Sequence, residues 1–260
     1  MKSLHSRDNP QVKALIRLAG SSRERRRTGT TILEGERLVR AYQDSGGVAE
    51  TILASQSALA NPSIRMLAEN APARVRLVLA DRLVEQISQL SSAAGVAAVV
   101  RTPERAQPPR TLSNCVLLEN IQDPGNLGSI LRSAVAAGIP HVFLSPGSVF
   151  AWSPKVIRAA MGAHFFVSIF EEIDLGEVVR GFGGRVVAMD PHAETSLYDL
   201  DVRGPVAWMF GNEGAGLSAS VRHIATDRVR VPMPGPAESL NVAAAAAVCL
   251  FEQVRQGKTQ

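Results

Sequence analysis

Six short apolar runs in the second half of the chain constrain its fold more than any other feature: Cys115–Glu119, His141–Leu144, Phe165–Phe170, Val186–Met189, Val206–Phe210 and Arg228–Val231. Several lack the period-two alternation of a strand with one wet face. Strands apolar on both sides belong to a parallel sheet covered by helices above and below. Helical stretches at about 127–138, 153–162, 174–181, 217–224 and 238–254 alternate with the runs and supply that cover. The pattern predicts a doubly covered α/β sheet whose ligand loops gather at the carboxyl ends of the strands.

The first hundred residues read as a second, smaller α/β unit. Helical patterns at 10–20, 34–45, 58–69 and 81–91 are interleaved with the strand-like runs Thr51–Ala54, Val75–Leu79 and Val96–Val100. Three prolines between Thr102 and Arg110, with no apolar periodicity, mark a linker. We therefore expect domains at 1–104 and 112–260, joined by 105–111. At 45% hydrophobic and 20% charged residues the chain has enough apolar material to build cores without staples. Cys115 and Cys249 sit inside apolar runs and read as small buried hydrophobes in a reducing compartment. No stretch approaches 18 uninterrupted apolar residues and no apolar signal core opens the chain, so a cytoplasmic protein is expected.

Charge separates the two parts. Residues 1–110 hold 17 Lys+Arg against 10 Asp+Glu, whereas 111–260 hold 11 against 14. A basic front half points to a polyanionic partner. Its densest cluster is Arg23, Arg25, Arg26 and Arg27, read as a loop that touches a polyanion backbone, with a merely solvated loop as the alternative.

Chemistry concentrates in three segments of the rear half. The first, Glu119 to Gly128, passes from a strand through a Pro-Gly turn into a helix beginning near Asn126 or Leu127. Asn126 there is a candidate N-cap or loop brace. Arg132 follows within two turns of the helix end whose free N–H groups favour anions, where a guanidinium fork suits phosphate. The second segment carries glycines at 211, 214 and 216, a spacing that is not the dinucleotide G-x-G-x-x-G, and no Walker-type phosphate loop occurs. Glu213 between these glycines is either a surface turn residue or an orienting group for Arg132 or a ligand. The third segment runs from Val231-Pro232-Met233-Pro234-Gly235 to Ser239-Leu240-Asn241-Val242 and opens an alanine-rich helix. Read alone, Ser239 and Asn241 cap that helix. His5, His141, His164, His192 and His223 show no ligand spacing, and no metal is expected.

Taken together and in order, the three segments resemble the three motifs of the SpoU (TrmH-type) branch of the SPOUT RNA methyltransferases. Asn126-Leu127-Gly128 with Arg132 matches the first, Gly211-Asn212-Glu213-Gly214 with Gly216-Leu217-Ser218 the second, and Val231-Pro232-Met233 through Ser239-Leu240-Asn241-Val242 the third. Ser153 to Ala163 resembles the family's intermediate helix, and Ile32-Leu33-Glu34-Gly35-Glu36-Arg37-Leu38-Val39 is similar to the start of its accessory substrate-binding domain. Ala243 and Ala160 stand where relatives often have serine.

The resemblance implies a deep trefoil knot in the parallel-sheet domain, preceded by a small α/β substrate-binding domain of ribosomal-protein-like type. It also implies a homodimer whose active site uses both chains, and S-adenosylmethionine as cofactor. Gly211, Val231, Met233, Gly235 and Leu240 would contact that cofactor. Arg132, Asn126, Glu213, Ser239 and Asn241 would serve catalysis, and Arg23, Arg25, Arg26, Arg27, Glu34 and Arg158 would meet RNA. The implied reaction methylates a ribose 2′-hydroxyl of structured RNA, with large-subunit ribosomal RNA as the expected substrate and transfer RNA as the alternative. Competing readings are an RNA-binding module without activity and a nucleotide-binding α/β protein of another kind.

Overall fold

The computed structural model describes residues 1–88, 94–103, 108–109 and 111–258. Two compact units emerge, one of residues 1–104 with 152–158 and the other of 105–151 with 159–260. Residues 105–107 and 110 of the expected linker, and 89–91 of the helix expected at 81–91, lie outside the described residues.

The first unit runs β1 (Lys2–Leu4), α1 (Pro10–Gly20), α2 (Ser22–Thr28), β2 (Thr30–Glu34), α3 (Glu36–Asp44), β3 (Ala49–Ser55), α4 (Pro62–Asn70), β4 (Ala73–Leu79), α5 (Asp81–Ile87) and β5 (Val96–Arg101). Its strands form one mixed sheet in the order β1-β4-β3-β5-β2. The first three are mutually parallel, and β5 runs antiparallel to both β3 and β2. Helix α1 starts where Asn9 accepts from the Gln11 N–H and Pro10 presets the first turn. It buries Val12, Leu15, Leu18 and Ala19 against Leu53, Leu77 and Leu79 of the sheet.

The second unit runs β6 (Cys115–Leu118), α6 (Pro124–Ala136), β7 (His141–Leu144), α7 (Pro154–Ala160), β8 (Ser168–Phe170), α8 (Leu175–Arg180), β9 (Arg185–Met189), β10 (Val206–Phe210), α9 (Ala219–His223), β11 (Asp227–Val229) and α10 (Val242–Gly257), with residues 154–158 of α7 grouped with the first unit. Six parallel strands line up as β11-β9-β10-β6-β7-β8. Every residue of β6 and β10 is buried, as their two-faced apolar sequences require. Trp208 is fully buried and donates its indole N–H to Gln253 Oε1 at 2.8 Å, so its one polar atom is satisfied. Cys115 and Cys249 are free and buried, and burial pushes the Cys115 thiol up to about 12. The strand expected at Phe165–Phe170 begins only at Ser168, because Gly162 enters the left-handed region and Ala163–Phe165 coil into a 3-10 turn. Among the described residues no helix is long and apolar enough to cross a membrane.

Strand order places the site. From β6 the sheet grows outward through β7 and β8, then the chain crosses back and fills the other side with β9, β10 and β11. The reversal falls between β6 and β10, where Cys115 pairs with Ala207 and Leu118 with Phe210. The loops leaving those two strands are fastened to each other, and the crevice opens beside them, among the segments that follow β9, β10 and β11.

Candidate active site

The loop after β6 turns through Asn120, whose φ of 53° is left-handed, a conformation asparagine tolerates better than most residues. Its N–H donates to Ser145 Oγ at 2.9 Å, and its carbonyl accepts from Asn212 Nδ2 at 2.9 Å. Helix α6 then opens on Asp123, which accepts from the Asn126 N–H at 2.8 Å, with Pro124 in the first turn. The cap is thus Asp123, three residues earlier than expected, and Asn126 is left to brace the loops.

The loop after β10 is a tight clasp. A Cβ on Gly211 would lie 2.2 Å from the Gly216 carbonyl carbon, so no side chain fits there. Gly216 closes the clasp at φ +68° and exchanges backbone hydrogen bonds with Asn212 at 2.9 and 3.1 Å. Asn212 Oδ1 accepts from the N–H groups of Gly214 and Ala215, both at 3.0 Å. Beyond the clasp, Glu119 accepts from the Ser218 N–H at 2.7 Å and Ser218 Oγ at 2.6 Å, fastening the end of β6 to the start of α9.

Glu213 projects from this clasp onto the start of α6. Its carboxylate accepts from Gln122 N at 3.2 Å, Asp123 N at 3.0 Å and Asn126 Nδ2 at 3.0 Å. These donors lie at the end of α6 whose dipole favours negative charge. Partial burial pushes the carboxyl pKa up, but the bonds from Asn126, Asp123 and Gln122 outweigh it and hold the group below the usual carboxylate range. Asn126 Oδ1 in turn accepts from Asn241 Nδ2 at 2.9 Å, and Asn241 Oδ1 caps α10 by accepting from Ala243 N and Ala244 N. An acceptor-only carboxylate at one end and backbone donors at the other fix the orientation of both amides. One chain, Glu213–Asn126–Asn241, ties the three segments together.

A cleft of about 590 Å³ lies beside this junction, lined by the clasp 211–217, by Val231, Met233, Ser239 and Leu240, and by Met189 to His192 at the end of β9. Of the residues expected to meet a cofactor, Gly211, Val231, Met233 and Leu240 line it and the exposed Gly235 does not. Ser239 and Glu213 also border it. Arg132 stands apart: it is exposed on α6, makes no hydrogen bond or ion pair with any described residue, and receives none from Glu213, whose oxygens are occupied by the loop donors. Asp190 escaped sequence analysis, while Glu119 entered it only as the start of the first segment and Asn212 only within the second motif, neither with a role. They become partners of the site only through adjacency of strands far apart in the chain.

In the first unit the arginine cluster is helical, not a loop. Ser21 caps α2 by accepting from Glu24 N, and Gly29 ends it at φ 59°. Arg23, Arg26 and Arg27 face solvent, with Arg27 paired to Glu24 at 2.7 Å. Arg25 must be removed from the RNA-contacting set. It is 5% exposed and donates to the carbonyls of Leu18 and Ala19 at 2.7 and 2.8 Å and to Ser22 Oγ at 2.8 Å, closing the end of α1. Glu34, half-buried, accepts from Ser88 Oγ at 2.7 Å, and Arg158, also half-buried, sits on α7 in the segment grouped with the first unit.

Comparison with known proteins agrees with this geometry. Residues 113–251 match the model of the SpoU rRNA Methylase family, and residues 9–98 match the MRM3-like substrate binding domain. An uncharacterised tRNA/rRNA methyltransferase of Synechocystis sp. is 32% identical over 98% of this chain and 94% of its own. The 23S rRNA (guanosine(2553)-2′-O)-methyltransferase of Bacillus subtilis is 30% identical over 96% of this chain and 98% of its own. A crystal structure of the SpoU methyltransferase AviRb from Streptomyces viridochromogenes, in complex with the cofactor AdoMet, superposes with a TM-score of 0.87 at 29% identity, covering 96% of this chain and 99% of that one. The chain belongs to the SpoU rRNA methylase family.

Proposed function

We propose that this protein transfers a methyl group from S-adenosylmethionine to a ribose 2′-hydroxyl of large-subunit ribosomal RNA, with transfer RNA as the alternative substrate. The observation that carries the reading is the Glu213–Asn126–Asn241 chain, which brings three separated segments to one cleft. The substrate class rests on the Bacillus subtilis relative, whose name specifies 23S rRNA and 2′-O transfer.

The cleft fits the cofactor. Its volume is that of a nucleoside-sized site. The clasp packs so closely at Gly211 that its backbone forms one wall of the cleft without a side chain there, while Val231, Leu240 and Val242 supply apolar wall. When bound, S-adenosylmethionine supplies a methyl group already activated by its sulfonium. What remains for the protein is to align the 2′-oxygen for in-line attack and to assist loss of its proton. A guanidinium stays protonated, so Arg132 serves by clamping the neighbouring phosphate and stabilising negative charge that develops on the 2′-oxygen. Glu213, Asn126 and Asn241 act as positioning residues that fix the loops, and Ser239 at the cleft orients the ribose.

This reading includes a trefoil knot in the second unit and a homodimer working in the cytoplasm. Support for the dimer comes from Arg132, which is exposed on α6 and absent from the cleft lining of its own chain. In the first unit, Arg23, Arg26 and Arg27 offer the solvent-facing charge that holds RNA, aided by Glu34 and Arg158.

Incubating the protein and bulk RNA with radiolabelled S-adenosylmethionine, then hydrolysing in alkali, tests the reaction. Label should survive in an uncleaved dinucleotide, because a 2′-O-methylated linkage resists alkali. Label released as mononucleotide refutes 2′-O transfer in favour of base methylation, and no label at all leaves an RNA-binding module.

A further inference from the structure

We infer that Asp190 holds the ribose hydroxyls of the nucleoside ligand in the cleft and so makes the site selective for a ribonucleoside over its deoxy counterpart. This deepens the reading of the cleft as the site of S-adenosylmethionine and rests on it. The inference starts from register. Ala188 of β9 pairs with Met209 of β10, so two residues further on Asp190 leaves its strand at the level where Gly211 leaves the neighbouring one. On its other side the Asp190 N–H donates to the carbonyl of Val229 in β11 at 2.9 Å. Asp190 therefore stands at the carboxyl end of the strand lying between the two whose following loops, 211–217 and 230–233, wall the cleft. A glycine-rich loop on one strand and a carboxylate at the end of the adjacent parallel strand is an arrangement that reads a ribose diol in other open α/β sheets.

The side chain is 5% exposed and lines the cleft. Oδ1 is occupied, accepting from the His192 N–H at 3.0 Å. Oδ2 has no hydrogen-bond donor among the described residues, since its nearest cations, Arg222 and Arg228, each lie 3.8 Å away. A carboxylate oxygen that borders the cleft with only two long ion pairs keeps acceptor capacity for a hydroxyl donor of the ligand. The two flanking guanidiniums disfavour a second cation there, which argues against the ammonium of an amino acid and for neutral hydroxyls. Arg230, the third arginine of this end, is committed to the carbonyls of Ala193 and Glu194.

Calorimetry with S-adenosylhomocysteine and its 2′-deoxy and 3′-deoxy counterparts, on the wild-type protein and on Asp190→Asn, decides the matter. Asparagine keeps the Oδ1 bond to His192 and replaces Oδ2, which pairs with Arg222 and Arg228, with a donor. The wild type should bind the parent ligand ~10-fold or more tightly than at least one deoxy counterpart, the usual worth of a hydrogen bond to a charged group. Asp190→Asn should weaken the parent ~10-fold or more and shrink that preference below ~3-fold. A wild type that binds all three ligands alike overturns the inference without recourse to any variant, as does a folded Asp190→Asn that keeps the full preference. A wild type that binds none of them overturns the methyl-donor reading itself, and the inference with it.

Discussion

Asn241 reaches across 115 residues of chain to donate its Nδ2 to Asn126 Oδ1 at 2.9 Å. The same Asn126 gives its own Nδ2 to Glu213, so it can serve both neighbours only as a neutral amide. Asn126→Asp keeps the size and the acceptor but sets a second carboxylate against Glu213 at hydrogen-bond distance. Affinity for S-adenosylmethionine should fall ~10-fold or more, the scale of losing a charge-assisted bond. Adding Glu213→Gln to Asn126→Asp should recover part of that loss, because a donor again faces a carboxylate. Calorimetric titration of the single and double variants checks both statements. Unchanged affinity in the single variant, or no recovery in the double, would show that the chain of amides does not shape the cleft.

Arg132 is exposed and makes no hydrogen bond or ion pair with a described residue, so its removal should leave the fold and the cofactor cleft intact. Arg132→Ala is expected to lower methyl transfer ~10²-fold or more, as loss of a preorganised charge stabiliser does. Cofactor affinity should stay within ~3-fold of wild type. Near-normal turnover with intact cofactor binding removes Arg132 from the reaction.

The parallel sheet was readable because burial on both faces leaves a mark in composition. His141–Leu144 and Val206–Phe210 coincide with β7 and β10 residue for residue. The glycines at 211 and 216 were readable for a related reason, since close backbone approach admits nothing larger at Gly211 and Gly216 turns through a left-handed φ of 68°. Helix α2 was missed because its arginines carry no apolar period. Its signals were nonetheless present: Ser21 with Glu24 three residues on forms the start of a capping box, and Gly29 the left-handed stop. Asp190 and Glu119 left no such mark. Each owes its role to the pairing of β10 with β6 and β9, a crossover that no local window of sequence contains.

His164 is 3% exposed and its ring nitrogen Nε2 lies 2.8 Å from the Ala151 carbonyl, which requires that nitrogen to carry the proton. Burial pulls its pKa down to about 4, with the Ala151 bond opposing the shift weakly. A depressed folded value means stability is fully present above the unfolded value near 6.5 and is lost as pH falls toward about 4. The loss from this one group is ~3 kcal/mol at most. Melting temperature should therefore drop across that window, and His164→Gln should flatten the drop while lowering stability at neutral pH. An equal slope in wild type and variant assigns the acid sensitivity elsewhere.

Arg25 and its three neighbours in α2 should part ways experimentally. Arg23, Arg26 and Arg27 face solvent, whereas Arg25 spends its guanidinium on Leu18, Ala19 and Ser22. Replacing the exposed three with Gln should weaken RNA binding and reduce the slope of log affinity against log salt by ~0.7–0.9 for each phosphate no longer neutralised. Melting temperature should barely move, since exposed charges contribute little to stability. Arg25→Met keeps the apolar stem and strands the carbonyls, so it should cost ~2 kcal/mol of stability and leave the salt slope where it was. Filter binding over a salt series, paired with thermal melts of both variants, separates the two roles. A salt slope that falls with Arg25→Met would return Arg25 to the RNA-contacting set.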